Sequence, residues 1–592
     1  MKRLPLLLCI LLTGLVTPVF GKLDGTYMNE AGMTLKTPHA AWDEKGELPH
    51  KKILFIMQQT ASREIIELVQ RFPGFEYEVV LTANEHSIGA DDIYSNPIAG
   101  LSTADKHQEL ADKLAKDYDL VVVANVDFAI LPDEQKFRLM SMVRNGTGLV
   151  RIQSSEPWSE LKKLPYKKPY AKPLPRPEWV AGSNGLPGSR PENFESRIFN
   201  AWQFGHGRIV EVDYGAGYRA GVGLTPYFDY TTDWLFLYET SQAFLAQVLY
   251  YASGVELPAF SVRQDSGKFV VASPEKTTVE GRIRQTDNSV IRNSLDFTNL
   301  PAGKYTADVL VRRNGALVNF GAFPFTVESA FGAVSVEAPR LVQNRGPFSG
   351  TLKLASPAQN GYSVKVELMD APYRNVWFSK TLPLEAGKKE FPFDLENYRM
   401  PTIGGYLRCT VYDARGHAAH AEKPVIFPDY SLEDYLQLTW GQVGCTFNPA
   451  FGERIIDRLG WNVSLQFFSK GDIENTLRNE KLCPYICRIG MEAGPNNETR
   501  ILRKLWSEQK ENMERLGTLN GDESFYHPLV RKLWADDLRR QAEYLKDLSP
   551  VLYNLGDENF YTYDAGFGES DKQPFANFLR RKYQTIENLN LE

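Results

Sequence analysis

Cysteine is scarce in this sequence, with five in 592 residues, and one of these, Cys9, sits in the apolar N-terminal run. The other four are Cys409, Cys445, Cys483 and Cys487, so residues 22–408 contain none. A chain this long with so few thiols is not held by a disulfide framework. Cys483 and Cys487 have a C-x3-C spacing in "LCPYICRIG". On an extended strand they share a face but sit too far apart for an easy bridge. Four ligands at zinc spacing are also lacking, so neither a structural metal nor a cofactor is expected. Excess basic charge is absent: 67 Lys and Arg stand against 73 Asp and Glu, a net charge of -6. That balance, with no basic stripe, argues against a nucleic-acid or anionic-membrane partner. A second long apolar run is missing too, so no membrane span is expected.

The first residues, "MKRLPLLLCILLTGLVTPVFGKL", place Lys2 and Arg3 before an apolar stretch from Leu4 to Val16, with small and turn-forming residues up to Gly21. This is the pattern of a cleaved export signal over residues 1–21, and it predicts a periplasmic or extracellular protein. At 592 residues the chain is too long for one core, and several domains are expected. Aromatic residues make up 12% of it. Such rings stack on sugars but also fill β-rich cores, and the core role is the expected one.

After an extension over 22–50, residues 51–255 alternate helical and near-continuous apolar segments. "KKILFIM" reads as a buried strand, and "SREIIELVQRF" as a helix with Ile65, Ile66, Val69 and Phe72 on one face. "YEVVLTA", "HQELADKLAKDYDLVVVANV" and "DEQKFRLMSMVRNGTGLVRI" repeat the theme, which predicts a parallel sheet covered on both faces. "YDLVVVANVDFAILPDEQKFRLMSMVRNGTGLV" and "FGHGRIVEVDYGAGY" resemble the class I glutamine-amidotransferase-like domain, a flavodoxin-like fold. Enzymes of that class use a cysteine nucleophile. With no cysteine in 22–408, the resemblance implies a degenerate module for packing, oligomerisation or binding. Ser154 and Ser155 follow a strand but have no assignable His partner, and His206 in "FGHGR" reads as a turn residue. The stretch 166–191, rich in Pro, Gly and Lys, is expected to be an extended surface loop.

Residues 256–430 change to short alternating runs broken by Gly, Pro, Asn and Asp. In "LPAGKYTADVLVRRNGALV", Tyr305, Ala307 and Val309 share a face and Asn-Gly supplies a hairpin turn. Two immunoglobulin-like sandwiches, 256–330 and 331–430, are expected. His417 and His420, three apart, would face opposite sides of a strand and so make no metal pair.

From 431 to 592 strand and helix patterns alternate four times, the order of the first half of a TIM (β/α)8 barrel. The strands are "YLQLTWGQ", "WNVSLQFF", "LCPYICRIG" and "VLYNLGDEN"; Phe575, Phe578 and Leu579 are expected on the buried face of the last helix. In such barrels chemistry sits at the C-terminal strand ends, where Asp557 and Glu558 fall. The runs "YNLGDENF" and "QPFANFLRRKYQTIENLN" resemble glycoside hydrolase family 42, the β-galactosidase-like group of the TIM-barrel clan. The resemblance implies retaining hydrolysis of β-glycosides, with Glu558 as general acid/base. Asp557 stands where the clan usually has Asn, next to the acid. Asp557, Asn559, Trp440 and Arg488 are the expected substrate contacts. Trp440 and Arg488 suit barrel packing or a structural ion pair as well, and Asp557 and Glu558 suit a hydrated strand end.

A retaining mechanism needs a second carboxylate about 5–5.5 Å from the first. The clan takes it from strand seven. Residues 431–592 hold four strands, while a whole barrel takes about 250 residues. The expectation is therefore a truncated form of a longer glycosidase, inactive by itself, with a carbohydrate substrate and homo-oligomerisation left open. The alternative is a non-catalytic carbohydrate-binding or envelope scaffold protein with a decayed barrel.

Overall fold

In the computed structural model, the described residues are 42–89, 102–152, 172–174, 199–214, 223–226, 237–285, 289–342, 346–370, 376–395, 404–427, 438–439, 463–467, 486–488, 552–554 and 569–591, with isolated positions in 33–40 and 528–543. The described residues divide between Ser329 and Ala330 into two compact units, in which several β-sheets and few helices are described.

The first unit is built on a sheet with the order β2-β1-β3-β4-β7-β6-β5. Its strands are β1 (Lys51–Gln58), β2 (Phe75–Thr82), β3 (Leu120–Ala124), β4 (Gly148–Ile152), β5 (Lys172–Leu174), β6 (Phe199–Phe204) and β7 (Gly207–Val212). Strands β2, β1, β3, β4 and β7 run parallel, and β6 and β5 extend the sheet antiparallel. The near-continuous apolar runs are explained by cover on both faces. Ile53, Phe55 and Met57 of β1 join one core with α1 (Arg63–Arg71) and a later helix, α4 (Tyr238–Ala252). Leu54 and Ile56 join a second core with α2 (Thr103–Leu114) and α3 (Asp133–Asn145). On α1, Ile65, Ile66 and Phe72 are buried as their spacing predicts. The side chain of Ser102 caps α2 by accepting from the Asp105 amide at 3.1 Å. Gly148 opens β4 against the end of α4. A Cβ there would stand 2.3 Å from the Ala252 carbonyl oxygen, so only glycine fits.

Of the expected surface loop at 166–191, only 172–174 are among the described residues, and they form a strand. Lys172–Leu174 is an edge strand whose Pro173 pairs opposite Trp202. An edge strand tolerates proline because one side of its backbone needs no ladder donor.

The rest of the unit is antiparallel. A hairpin of β8 (Ser261–Asp265) and β9 (Lys268–Ala272) accompanies a sheet of order β11-β10-β12-β13. These four are β10 (Thr277–Arg284), β11 (Val290–Arg292), β12 (Gly303–Arg313) and β13 (Ala316–Val327). Asn314 and Gly315 turn β12 into β13 with φ of 52° and 84°, the left-handed pair that an Asn-Gly hairpin requires. Tyr305, Ala307 and Val309 are buried on one face, as expected. The other face is not solvated: Leu310, Leu317, Phe320 and Ala322 belong to the same core as β1, α1 and α4. Sheet and α/β layer therefore share one interior.

That interior contains charge. Arg63, Glu67 and Arg71, at helical spacing on α1, are wholly buried with Glu239 of α4. Glu67 bonds Arg63 and Arg71 at 2.7 and 2.8 Å, and Arg71 Nε meets Glu239 Oε2 at 2.8 Å. The second Glu239 contact, from Arg71 Nη2, is shorter still. Glu239 also accepts from the Ala40 amide at 3.1 Å. Burial alone would raise the Glu67 pKa, but the two guanidiniums outweigh it and lower it. On the sheet, buried Asp308 receives Arg282 at 2.8 Å and Arg284 at 2.6 and 2.7 Å. Both guanidiniums lie 5.7 Å from the Trp42 ring.

The second unit holds two antiparallel sheets, β14-β15-β18 and β17-β16-β19-β20. Its strands are β14 (Val334–Glu337), β15 (Phe348–Leu354), β16 (Ser363–Asp370), β17 (Val376–Pro383), β18 (Glu390–Leu395), β19 (Gly404–Tyr412) and β20 (Ala418–Ile426). Cys409 of β19 is buried, and desolvation pushes its thiol up to about 12. A further sheet runs β21 (Leu438–Thr439), β22 (Val463–Phe467), β23 (Ile486–Arg488) and β24 (Leu552–Asn554), all parallel and in chain order. The unit ends in α5 (Glu569–Tyr583) and α6 (Ile586–Leu591). Phe575 and Phe578 were expected to be buried, yet they are 58% and 48% exposed and stack on each other. Their spacing is amphipathic, but among the described residues no element covers that face.

Two outcomes follow. Asp308→Asn leaves the buried Arg284 and the half-buried Arg282 short of their anion and should destabilise the first unit by about 3–5 kcal/mol, read as a lower urea midpoint. In the native protein Cys409 should resist iodoacetamide at pH 8, with peptide mapping showing alkylation there only after denaturation.

Candidate functional site

The acidic pair expected to carry chemistry, Asp557 and Glu558, lies outside the described residues, as do Asn559 and Trp440. What is described is the strand before the pair. β24 closes at Asn554, in register with Arg488, which closes β23 and pairs in turn with Phe467 of β22. Arg488 is thus the last residue of its strand; its side chain is not among those described. The sheet brings the end of β23 beside the end of β24, and Asp557 and Glu558 follow Asn554 in the chain.

A second polar constellation lies at the C-terminal edge of the parallel sheet in the first unit. With the order β2-β1-β3-β4, the connection out of β1 runs to one side and that out of β3 to the other, and such a point opens a crevice beyond the ends of these two strands. β1 ends in buried Gln58, whose Nε2 donates to the Asn125 carbonyl at 3.1 Å. Asn125 follows β3 with a φ of 48°, a left-handed conformation unusual for a side chain other than glycine. Two residues on, Asp127 accepts at 2.6 Å from Nδ1 of His86, in the turn after β2. The Asp127 amide donates to the Glu85 carbonyl at 2.8 Å, fixing that turn to β3. The bond from Asp127, helped by the negative charges of Asp127 and Glu85, raises the His86 pKa above its ordinary 6.5. His86 is 62% exposed. The pair can exchange protons with solvent or a solute; the hydroxyl of the next residue, Ser87, donates to the Gly89 carbonyl at 2.6 Å. Ser154 and Ser155 lie outside the described residues.

Other residues singled out in the sequence prove structural. His206 is in the β6–β7 turn and donates its amide to the Arg144 carbonyl at 2.9 Å. His417 bonds Asp413 at 3.0 Å within a hairpin turn, and His420 lies 3.9 Å from Glu422. No group of three or more metal-ligating side chains occurs among the described residues, and none of their helices is long and apolar enough to cross a membrane.

Sequence reasoning missed the polar edge residues Gln58, His86, Asn125 and Asp127, and also Glu64 in the first turn of α1. The available signal was position: each falls just after a predicted strand of a parallel sheet, where loops carry function.

No protein-family model matches the sequence, and no curated protein matches it. Several solved structures are distantly similar. The β-glucuronidase of Parabacteroides merdae is 14% identical over 46% of this chain and 33% of its own, with a TM-score of 0.19. The FMN-binding β-glucuronidase from Facaelibacterium prausnitzii L2-6 is 10% identical over 43% and 48%, with a TM-score of 0.17. A tetra-tandem repeat from the extending region of a large adhesion protein is 11% identical over 39% and 58%, at 0.13. This chain thus spans less than two thirds of each, and likeness at this level carries no argument about family or activity.

The His86–Asp127 pair yields a direct expectation. The His86 imidazole should titrate above 6.5 by NMR, and in Asp127→Asn its midpoint should move back down toward that value.

Proposed function

We propose that this chain is glycoside hydrolase-like and carries the acid/base residue of an exported retaining β-glycosidase. The observation that carries the reading is the run of four parallel strands in chain order, the last closing at Asn554 just before Asp557 and Glu558 in sequence. Strands added one after another in parallel are what a (β/α)8 barrel builds first, and such barrels keep their chemistry at the C-terminal strand ends. The order β2-β1-β3-β4-β7 supports a flavodoxin-like first domain, with a cysteine-free amidotransferase-like module as its nearest description. The paired antiparallel sheets support immunoglobulin-like modules between the two.

In this reading Glu558 protonates the departing glycosidic oxygen and then takes a proton from the water that releases the sugar. Asp557, beside it, raises its proton affinity, which keeps the acid protonated near neutral pH. Asn559, Trp440 and Arg488 contact the sugar. The nucleophile belongs to a seventh strand, which is not among the four here. Galactoside preference follows from the family resemblance alone.

The test uses the full-length protein with aryl and alkyl β-glycosides. Glu558→Gln should lower kcat/KM by about 10²–10⁴-fold for poor leaving groups and much less for nitrophenolates. Equal loss on both, or none, would reject the assignment. A wild-type protein that binds polysaccharide yet hydrolyses no β-glycoside would favour a non-catalytic scaffold, a role consistent with the lost cysteine chemistry of the first domain.

A further inference from the structure

The parallel sheet β21–β24 differs in composition from the parallel sheet of the first unit. There β1 and β3 are apolar on both faces: Ile53, Phe55 and Val122 lie in one core, and Leu54, Ile56 and Val123 in the other. A parallel sheet with helices on both faces requires this. In β21–β24 the register sorts the residues into two unlike faces. Leu438 pairs with Val463, Leu465 with Ile486, and Ile486 with Leu552. Alternation along each strand places these five on one face. Thr439 pairs with Ser464, Gln466 with Cys487, and Cys487 with Tyr553, so these five occupy the opposite face. The first face is aliphatic throughout. The second is made of hydroxyl, carboxamide, thiol and phenol residues.

Polar groups under an apolar layer are costly unless each is bonded. An aliphatic face is what amphipathic helices cover; a polar face borders water or a polar ligand. We propose that the polar face is the substrate side of this sheet, and that Gln466, Cys487 and Tyr553, side by side on β22, β23 and β24, form a row that selects the sugar. The assignment rests on the glycoside hydrolase-like reading of this chain.

Three placements carry it. The row lies one residue short of Phe467, Arg488 and Asn554, which close these strands at the end where a barrel keeps its chemistry. Its third member is on β24, the strand that runs on in sequence to Asp557 and Glu558. Neighbouring strands are about 4.8 Å apart, so the row spans about 10 Å, on the scale of a sugar and its hydroxyls. Carboxamide and phenol each offer a donor and an acceptor, as a sugar hydroxyl does. None of the three is charged at neutral pH, which suits neutral hydroxyls.

The test uses the full-length protein, with Gln466→Ala and Tyr553→Phe assayed beside Glu558→Gln. Substrates are the p-nitrophenyl β-glycoside that the wild type hydrolyses fastest and its methyl counterpart; hydrolysis of none rejects both the row and the reading beneath it. Each row variant should lower kcat/KM by about tenfold or more, chiefly through KM and equally for both leaving groups, because it loosens the sugar and not the departing oxygen. A change that only disturbed the fold would lower kcat and leave KM. Iodoacetamide should inactivate the wild type with the label at Cys487, and the methyl β-glycoside should slow this. Cys487→Ser, whatever its own rate, should lose that sensitivity. If Glu558→Gln shows the loss expected of an acid while both row variants keep kcat/KM within about twofold, the row lies away from the sugar and the proposal falls with the acid assignment intact. Alkylation of Cys487 without loss of rate overturns it equally. Impaired row variants beside a fully active Glu558→Gln would remove the acid assignment and leave the row standing.

Discussion

The first unit is organised by buried charge. Asp308, Glu67 and Glu239 lie out of water, each bonded to one or two guanidiniums. A buried ion left unpaired is far costlier than a lost apolar contact, so the pairs dictate geometry. Glu239 ties α4 to α1 through Arg71 and to the segment before β1 through the Ala40 amide. Asp308 ties β12 to β10, and the Arg282 and Arg284 it holds flank Trp42. These pairs fix each layer internally, and across the junction Gln247 of α4 bonds Asn319 and the Phe320 carbonyl of β13 at 3.2 and 2.6 Å. Apolar packing between Phe72, Trp42 and Phe320, with ring centres 4.9 and 5.7 Å apart, supplies the bulk of the attraction across the same junction.

That constraint shapes what the unit can do. With one face of the parallel sheet committed to α1, α4 and the second sheet, and the other to α2 and α3, the strand ends are what remains for recognition. Gln58, Asn125, Asp127 and His86 gather there, and Glu64 fastens a segment over the end of β1. These side chains can exchange protons and form hydrogen bonds at that edge.

Legibility in the sequence followed period. Continuous apolar runs marked β1, β3 and β4, and the 3.6-residue spacing of Ile65, Ile66 and Phe72 marked α1, because burial on two faces or one leaves that imprint. Asn314-Gly315 marked its hairpin because few residue pairs accept two left-handed φ angles. Asp308 was invisible: on an alternating strand it occupies a position that reads as solvent-facing, and only a second layer behind the sheet makes it interior. The burial of the Arg63, Glu67 and Arg71 stripe was not legible either, since paired charges on a helix ordinarily face water. Phe575 and Phe578 erred the other way, for an amphipathic face needs a partner that the helix itself does not supply. The acid pair at 557–558 was read from motif and strand order. The fold bears on it through the register of β23 and β24, whose last residues, Arg488 and Asn554, lie side by side.

Packing of Trp42 and Phe72 on Phe320, together with the buried bonds from Gln247 to Asn319 and the Phe320 carbonyl, joins the α/β layer and the antiparallel sheet of the first unit into one cooperative body. Native-state hydrogen exchange under rising urea tests it most directly, comparing amides of β3 with amides of β12. The account predicts that both sets merge onto one opening isotherm with a single urea slope. A β12 set that opens at lower free energy and shallower slope, while β3 stays protected, would contradict it.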